Sequence, residues 1–514
     1  MRCAAGRFAC GGYGIFVPAK AVQNTSATMR IPPHNQRIAA KDMTVFYGTL
    51  QGLVDLSQSD AQAFDFCRRY TIYNMAYGRL SHFWTSSILS VCHSEPAVLQ
   101  AMLALTAIHH EHSFGSRSPT LERSADAHYN MAVGYIQRTC NTSLEQYQVI
   151  LIVCLLLLTC DVLQNRYGTA LLHLNNGRQI FQSMRAKRGA LRHPCVLQIH
   201  PDTSSIEDEL TYMMALVDLQ STNYGSLRPM FKLVTDSDGK TNQGDNMPLA
   251  FASLDDAWRY MMIIYNEVEH LVPTSADCGP TQYLCYDPAS VIQQGRLLGH
   301  LSDWRHAYRN SAYRVPSSSR DPKDSWLNFS TLHLQMLQLL AEISIATCLN
   351  YGDEMQYDIY LPQFSNIVSI AENIGPMLPR VTFNVGVVQP LFLLCSFCRD
   401  PAIRRRALAV LSRAGKESYW DSRLVALCSR EKMLFEEAAA SYLHDPEEPL
   451  PEERDLATLI PRSARYTETW AFYRDNDMRE LDVMFKRRKL RHGQLQYGEE
   501  EWEMFSKRIP APAA

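Results

Sequence analysis

The sequence predicts an all-α protein of stacked antiparallel helix pairs forming one large helical domain. Three observations carry that expectation. Apolar residues recur at helical spacing in one segment after another. Gly and Pro fall mostly at the ends of those segments rather than inside them. Strand signals, by contrast, are few.

Taken in order, residues 1–14 (MRCAAGRFACGGYG) are small, glycine-rich and basic, with Cys3 and Cys10 seven apart. Two thiols alone cannot close a structural zinc site, which wants four ligands. Residues 15–61 read as a flexible linker, marked by Asn24 to Thr28 and Pro32-Pro33-His34-Asn35 and lacking the sustained heptads of a coiled coil. Residues 1–41 also carry Arg2, Arg7, Lys20, Arg30, Arg37 and Lys41 with no acidic residue, a transit-peptide bias. Gly11-Gly12, Gly14, Pro18 and Pro32-Pro33 argue against the amphipathic helix such a peptide needs.

From Gln62 the chain turns helical, and the stretch Ser94 to Met184 predicts four consecutive helices. Ser94 is the expected N-cap of the first, with Pro96 in its opening turn. Val98, Met102, Leu105 and Ile108 form its stripe up to His109-His110-Glu111-His112. After the Gly115–Pro119 break, Tyr129, Val133 and Ile136 mark the second helix. The third, Leu144 to Leu163, holds the apolar run Val149 to Leu158, about ten residues where a bilayer span needs roughly 20. It must therefore be surrounded by protein. The fourth, Arg166 to Met184, is amphipathic through Leu171, Leu174 and Ile180-Phe181. Further helices are expected at Glu209–Tyr224, Leu254–Val272 and Leu332–Leu349, with another segment starting at Trp304 and Tyr308. Past Tyr442 the composition becomes polar, and Lys486, Arg487, Arg488, Lys489 and Arg491 give five basic residues in six. Such a run is a candidate nuclear-import signal or phosphate-contact patch, against the plainer reading of a solvated helix face.

Bulk properties narrow the function. With 514 residues, 46% hydrophobic and 20% charged, the chain can bury a large core. A net charge of −3 gives no global attraction to nucleic acid, so any DNA contact needs a local patch. Fourteen scattered cysteines with no secretory signal point to a reducing intracellular compartment, which leaves the sequons at Asn24, Asn141 and Asn328 accidental.

Several motifs then acquire meaning together. Arg2-Cys3, a six-residue gap, Cys10 and Gly12-Tyr13 resemble the final part of the fungal binuclear zinc-cluster domain, C-x-R-C-x6-C-x-G-Y. The segments His93-Ser-Glu-Pro-Ala-Val98, Ile108-His109-His110-Glu111, His128-Tyr129-Asn130 and Leu171-His173-Leu174-Gly177 are similar to the helical middle region of fungal-specific transcription factors. So, downstream, are Pro390-Leu391-Phe392, Cys398-Arg399-Asp400-Pro401, Ile403 to Leu408 and Trp420-Asp421. The resemblance spans about residues 62–440 in order.

It implies a transcriptional regulator of a metabolic or secondary-metabolite gene set, located in the nucleus. It also implies a layout: zinc-cluster remnant (1–14), linker (15–61), helical regulatory domain (62–445) and a polar C-terminal extension with a basic cluster (446–514). The family's fourth cysteine would fall one position before Met1. Cys3 and Cys10 are therefore expected as zinc ligands only if upstream cysteines exist, and no cofactor is expected for 1–514 as given. DNA is the expected partner if the N-terminus is completed upstream. Otherwise the partners are transcriptional proteins, with a small-molecule effector as a further class and no membrane.

No catalytic or cofactor-binding residue is expected. Walker A, G-x-G-x-x-G, G-x-S-x-G and H-E-x-x-H are missing from the sequence. His109 and His112 could share a helix face toward a metal, but a polar last turn in which His⁺ suits the helix dipole is the expectation. Cys395-Ser-Phe-Cys398 has C-x-x-C spacing without a second pair, so buried thiols are expected. Arg404-Arg405-Arg406 are expected on a solvated face, pairing locally with Asp400 or Glu417. The alternative to a regulator is a helical ligand-binding or enzymatic protein of a biosynthetic pathway.

Overall fold

The computed structural model describes residues 56–77, 82–115, 118–138, 143–187, 195–199, 205–224, 228–234, 247–272, 288–311, 322–350, 353–441, 460–473, 480–491, 494–495 and 502–510. The class is all-α, with short strands at the joints and one small sheet near the C-terminus.

Helix α1 (Gln58–Phe66) runs through a π-helical turn into α2 (Ile72–Met75), and a second π-helical turn leads into α3 (Ile88–Ser94). Helix α4 (Pro96–Phe114) starts with Pro96 in its first turn, but its N-cap is Glu95. Ser94 instead ends α3 and donates its hydroxyl to the Val91 carbonyl at 3.3 Å. Gly115 stops α4 at φ 64°, a left-handed conformation glycine adopts without Cβ strain. Then come α5 (Pro119–Arg138), α6 (Leu144–Leu163) and α7 (Tyr167–Lys187). The expected third helix has the bounds of α6, and Ser143 caps it by accepting from the Gln146 amide at 3.3 Å.

Helix α6 is buried from Leu151 to Leu163 apart from Cys154, because α4 and α7 cover it. By length and composition it could cross a membrane, yet 67% of that window is buried inside the protein. Strand β1 (Val196–Gln198) pairs in parallel with β2 (Lys232–Val234), and between them lies α8 (Ile206–Gln220), opened by a Ser205/Asp208 capping box. Helices α9 (Leu254–Leu271), α10 (Pro288–Asn310) and α11 (Pro322–Thr347) follow. Trp304 and Tyr308 belong to the end of α10 rather than to the start of a segment, stacked at 4.8 Å.

The first and larger core runs from α1 to the facing sides of α10 and α11. A second core gathers α11, α12 (Leu361–Ile374), α13 (Val388–Phe397), α14 (Pro401–Leu411) and the start of α15 (Ser422–Ser441). Between the two cores sit β3 (Val381–Thr382), β4 (Lys416–Glu417) and β5 (Trp420–Asp421). In that sheet β3 is parallel to β4 and β4 antiparallel to β5.

The region past Tyr442 holds the main departure from sequence expectation. Strands β6 (Glu468–Tyr473) and β7 (Glu480–Arg488) precede a short hairpin of β8 (Leu490–Arg491) and β9 (Gln494–Leu495) and then β10 (Trp502–Pro510). They form an antiparallel sheet in the order β10-β7-β6. Leu481, Val483 and Phe485 turn toward α15, where Phe435 stacks on Phe485 at 5.2 Å. The basic run is thus on a strand, not a helix.

Candidate functional site

Cys3 and Cys10, the zinc-ligand candidates, lie outside the described residues. Strand alternation sends Lys486 and Arg487 to opposite faces of the sheet, and each meets a carboxylate. Lys486 pairs with Glu468 at 2.9 Å and lies 4.3 Å over the Trp502 ring. Arg487 pairs with Glu503 at 2.9 Å on the side facing α15. Lys489 is half-buried, and the side chains of Arg488 and Arg491 lie outside the described set.

In the His109–His112 knot His109 is fully buried at a joint, while His110, Glu111 and His112 are half-buried. His109 bonds through Nδ1 to Thr71 at 3.0 Å and through Nε2 to Asn74 at 3.0 Å and Ser113 at 2.9 Å. Burial, with some help from His112, pushes its pKa down to about 3. His112 is pushed down to about 4 by burial and by the Lys416 ammonium. The expected His⁺ at the helix dipole is therefore disfavoured, because burial lowers the pKa of His109 and His112 although Phe114 at the end of α4 stays exposed. Among the described residues no three or more His, Cys, Asp or Glu side chains gather to hold a metal ion.

A histidine with a lowered folded pKa contributes stability that is complete above about 6.5 and lost as pH falls toward the folded value. Comparing Tm of His109→Gln with the parent isolates this group. The parent's advantage will be largest at pH 7 and shrink steadily by pH 5, whereas a constant difference would mean that folding leaves the His109 pKa unchanged.

Cys395 and Cys398 sit at the end of α13, both buried, their thiols pushed up to about 12. A thiol so protonated is a poor nucleophile. In a timed thiol titration of native protein, Cys195, exposed after α7, will react first among the described cysteines. Cys395 and Cys398 will react only on unfolding.

Sequence reasoning missed an ion cluster around Glu436. Its carboxylate, fully buried on α15, accepts from Arg399 at 2.9 Å, Arg404 at 2.6 Å and the Tyr466 amide at 3.0 Å. Arg399 also reaches Glu354 at 3.0 Å and donates to the carbonyls of Ser396, Phe397 and Tyr466 at 3.0, 2.8 and 3.1 Å. Lys432 donates to the Ser396 carbonyl at 2.8 Å. Burial alone would raise the Glu436 pKa, but the two guanidiniums and Lys432 outweigh it and hold it at about 2. Burial pushes the Lys432 ammonium down to about 8, with Arg399 adding repulsion.

This cluster corrects the expectation for the arginine triplet. Arg404 is fully buried on Glu436, while Arg405 pairs with Glu437 at 2.9 Å and Arg406 with Glu372 at 2.6 Å. Asp400 caps α14 by accepting from the Ile403 amide at 2.8 Å. Glu417 accepts from the amides of Gly386, Val387 and Val388 at 2.8, 3.0 and 2.9 Å, at the start of α13.

Two further joints tie distant parts of the chain together. Lys416 extends its ammonium to the Leu163 carbonyl at 3.1 Å and to Asn165, a residue in the left-handed region at φ 60°. Arg465, fully buried, clamps Asp358 with two bonds of 2.7 and 2.9 Å and donates to the Glu354 carbonyl at 3.1 Å.

Where the two cores meet, Tyr77, Trp258, Phe329 and His333, with Thr382 and Asn384, line a crevice of about 250 Å³ including its open mouth. Its enclosed part has room for about one water. What these arrangements do chemically is lock elements together: each buried charge already faces a protein partner.

Residues 64–238, from α1 to just past β2, match the family model described as the fungal specific transcription factor domain. The chain is also 23% identical over 265 residues to the aspercryptin biosynthesis cluster-specific transcription regulator atnN of Emericella nidulans. That match covers 50% of this chain and 40% of the relative, so the chain spans less than half the length of this curated relative. No solved structure matches. Both similarities are to transcription regulators and not to enzymes.

Proposed function

We propose that the chain regulates transcription of a metabolic or secondary-metabolite gene set from the nucleus. The observation that carries this is the match of residues 64–238 to the fungal specific transcription factor domain, laid on the α1–α8 part of the first core. The printed role of the relative from Emericella nidulans supports the choice of gene set. In this reading residues 1–14 belong to a zinc-cluster module, 15–61 link it to a regulatory domain over 62–445, and 446–514 extend that domain. Cys3 and Cys10 hold zinc, and DNA is a direct partner, only in an N-terminally complete form. Otherwise regulation runs through transcriptional partner proteins. A small-molecule effector is a further partner class.

The test is a fluorescent fusion at the native locus together with transcript profiling of a deletion strain. The expected result is nuclear accumulation and a coordinated change confined to one gene set. A fusion kept out of the nucleus, with unchanged transcripts in the deletion, would overturn the proposal.

A further inference from the structure

The candidate import run begins on β7, and β7 is the middle strand of its sheet. It pairs with β10 over all nine residues, Glu480–Arg488, and with β6 from Leu481 to Lys486. Lys486 thus has a strand on each edge, with Met504 opposite on one side and Glu468 on the other. Its side chain, 17% exposed, holds Glu468 and lies over Trp502. Arg487, 25% exposed, holds Glu503, donates to the Ser463 carbonyl and sits 4.8 Å from the centre of the Phe505 ring.

A receptor that reads a run of lysines and arginines takes the peptide in extended form and offers acidic groups to each cation. With β7 in place neither demand is met. Alternate side chains of a strand point to opposite faces, so Arg487 turns toward α15 and Lys486 away from it. One groove cannot embrace both faces of a strand that also has neighbours on both edges.

We propose that the run is a closed import signal: the C-terminal sheet holds it away from a receptor for basic peptides, and displacement of β10 from β7 opens it. This rests on the nuclear reading above. The movable cover is β10, because β6 follows directly from the clamped residues Arg465 and Tyr466. Apart from β7, the ties of β10 are the bridge from the half-exposed Lys507 to Glu431 and the packing of Phe505 and Ile509 on the side facing α15. When β10 leaves, Lys486 loses Trp502, and Arg487 loses both Glu503 and the Phe505 ring. The receptor's apparent affinity is its affinity for the open chain reduced by the open fraction.

The test is competition for importin α, with a fluorescent peptide of residues 484–492 as the probe. The peptide is expected to bind, and the full native chain to compete at least about a hundredfold more weakly than unlabelled peptide. Phe505→Asp with Ile509→Asp sets two carboxylates against the apolar side of the sheet and is expected to bring the chain within about tenfold of the peptide. Adding Lys486→Ala, Arg487→Ala and Lys489→Ala to that variant will abolish competition again. Circular dichroism verifies the helices, and hydrogen exchange of β7 reads opening directly, slow in the parent and fast in the variant. If the double aspartate loses helicity, a chain ending at Glu499 removes β10 itself and takes its place. Four results would each overturn the proposal. They are a peptide that does not bind, a parent that competes as well as the peptide, rapid exchange of β7 in the parent, and an opened chain with intact helices that still fails to compete. Every readout is binding or exchange in solution, so the outcome is separate from whether the chain regulates a gene set.

Discussion

Replacing Glu436 with Gln will destabilise the protein by about 3–5 kcal/mol, seen as a lowered denaturation midpoint. Removing this one carboxylate leaves Arg399 with Glu354, Arg404 with only the longer 3.7 Å approach of Glu437, and Lys432 beside them, the two guanidiniums being fully buried. Desolvated cations that lose their counter-charge cost far more than the intact pair contributed, which is why the effect exceeds that of an exposed bridge. Truncating Arg406, whose bridge to Glu372 has both side chains 40% exposed, should cost no more than about 1 kcal/mol. The acid response has the same origin. The folded pKa of Glu436 is depressed to about 2, so its contribution is complete above about 4.5 and disappears as pH falls from there through about 2. The Gln variant will lack that part of the acid transition.

Gly415→Ala will be comparably severe, costing about 3 kcal/mol or more. A Cβ at this position would lie 2.0 Å from the Arg380 carbonyl oxygen and 2.5 Å from its carbon, which are backbone atoms that no rotamer change can move. The same carbonyl accepts from the Lys416 amide at 2.7 Å, so relieving the clash separates β3 from β4. Lys416 and Glu417 then leave their buried partners on α6 and α13. Chemical denaturation and limited proteolysis will show a loosened junction between the cores. As a contrast, Gly299→Ala in the interior of α10, where the new methyl meets nothing within 4 Å, should stabilise by about 0.5–1 kcal/mol. If both substitutions behave alike, the close approach at Gly415 is not what fixes the residue there.

The helical pairs were legible because their signals are local. The apolar run Val149 to Leu158 defines α6, and Gly115 marks the end of α4, each within a few residues of the event it controls. The C-terminal sheet also had a local signal, the alternation Leu481, Val483, Phe485 against Asp482, Met484, Lys486. The dense positive charge that follows drew the reading toward a solvated helix face, and packing on α15 decided the matter instead. The Glu436 cluster had no local signal. Arg399 and Glu436 are 37 residues apart, and Arg465 and Asp358 are 107 apart. Nothing in a one-dimensional pattern says that these charges meet, or that Arg404 among three adjacent arginines is the one turned inward. The buried state of His109 depended likewise on α1–α2 folding back to supply Thr71 and Asn74.

The bond from Lys416 to the end of α6 has a consequence for how the protein is made. The Leu163 carbonyl that it satisfies is 253 residues earlier in the chain. At ribosomal speeds of about 5–20 residues per second, roughly 10–50 s separate the emergence of the two. Through that interval the α4–α7 helices can pair, since their contacts are near in sequence, and His112 can reach the Leu163 backbone, but the end of α6 waits without its Lys416 donor beside its most apolar surface. Nascent chains stalled before residue 416 should therefore recruit holding chaperones, and chains stalled after α15 has cleared the exit tunnel should release them.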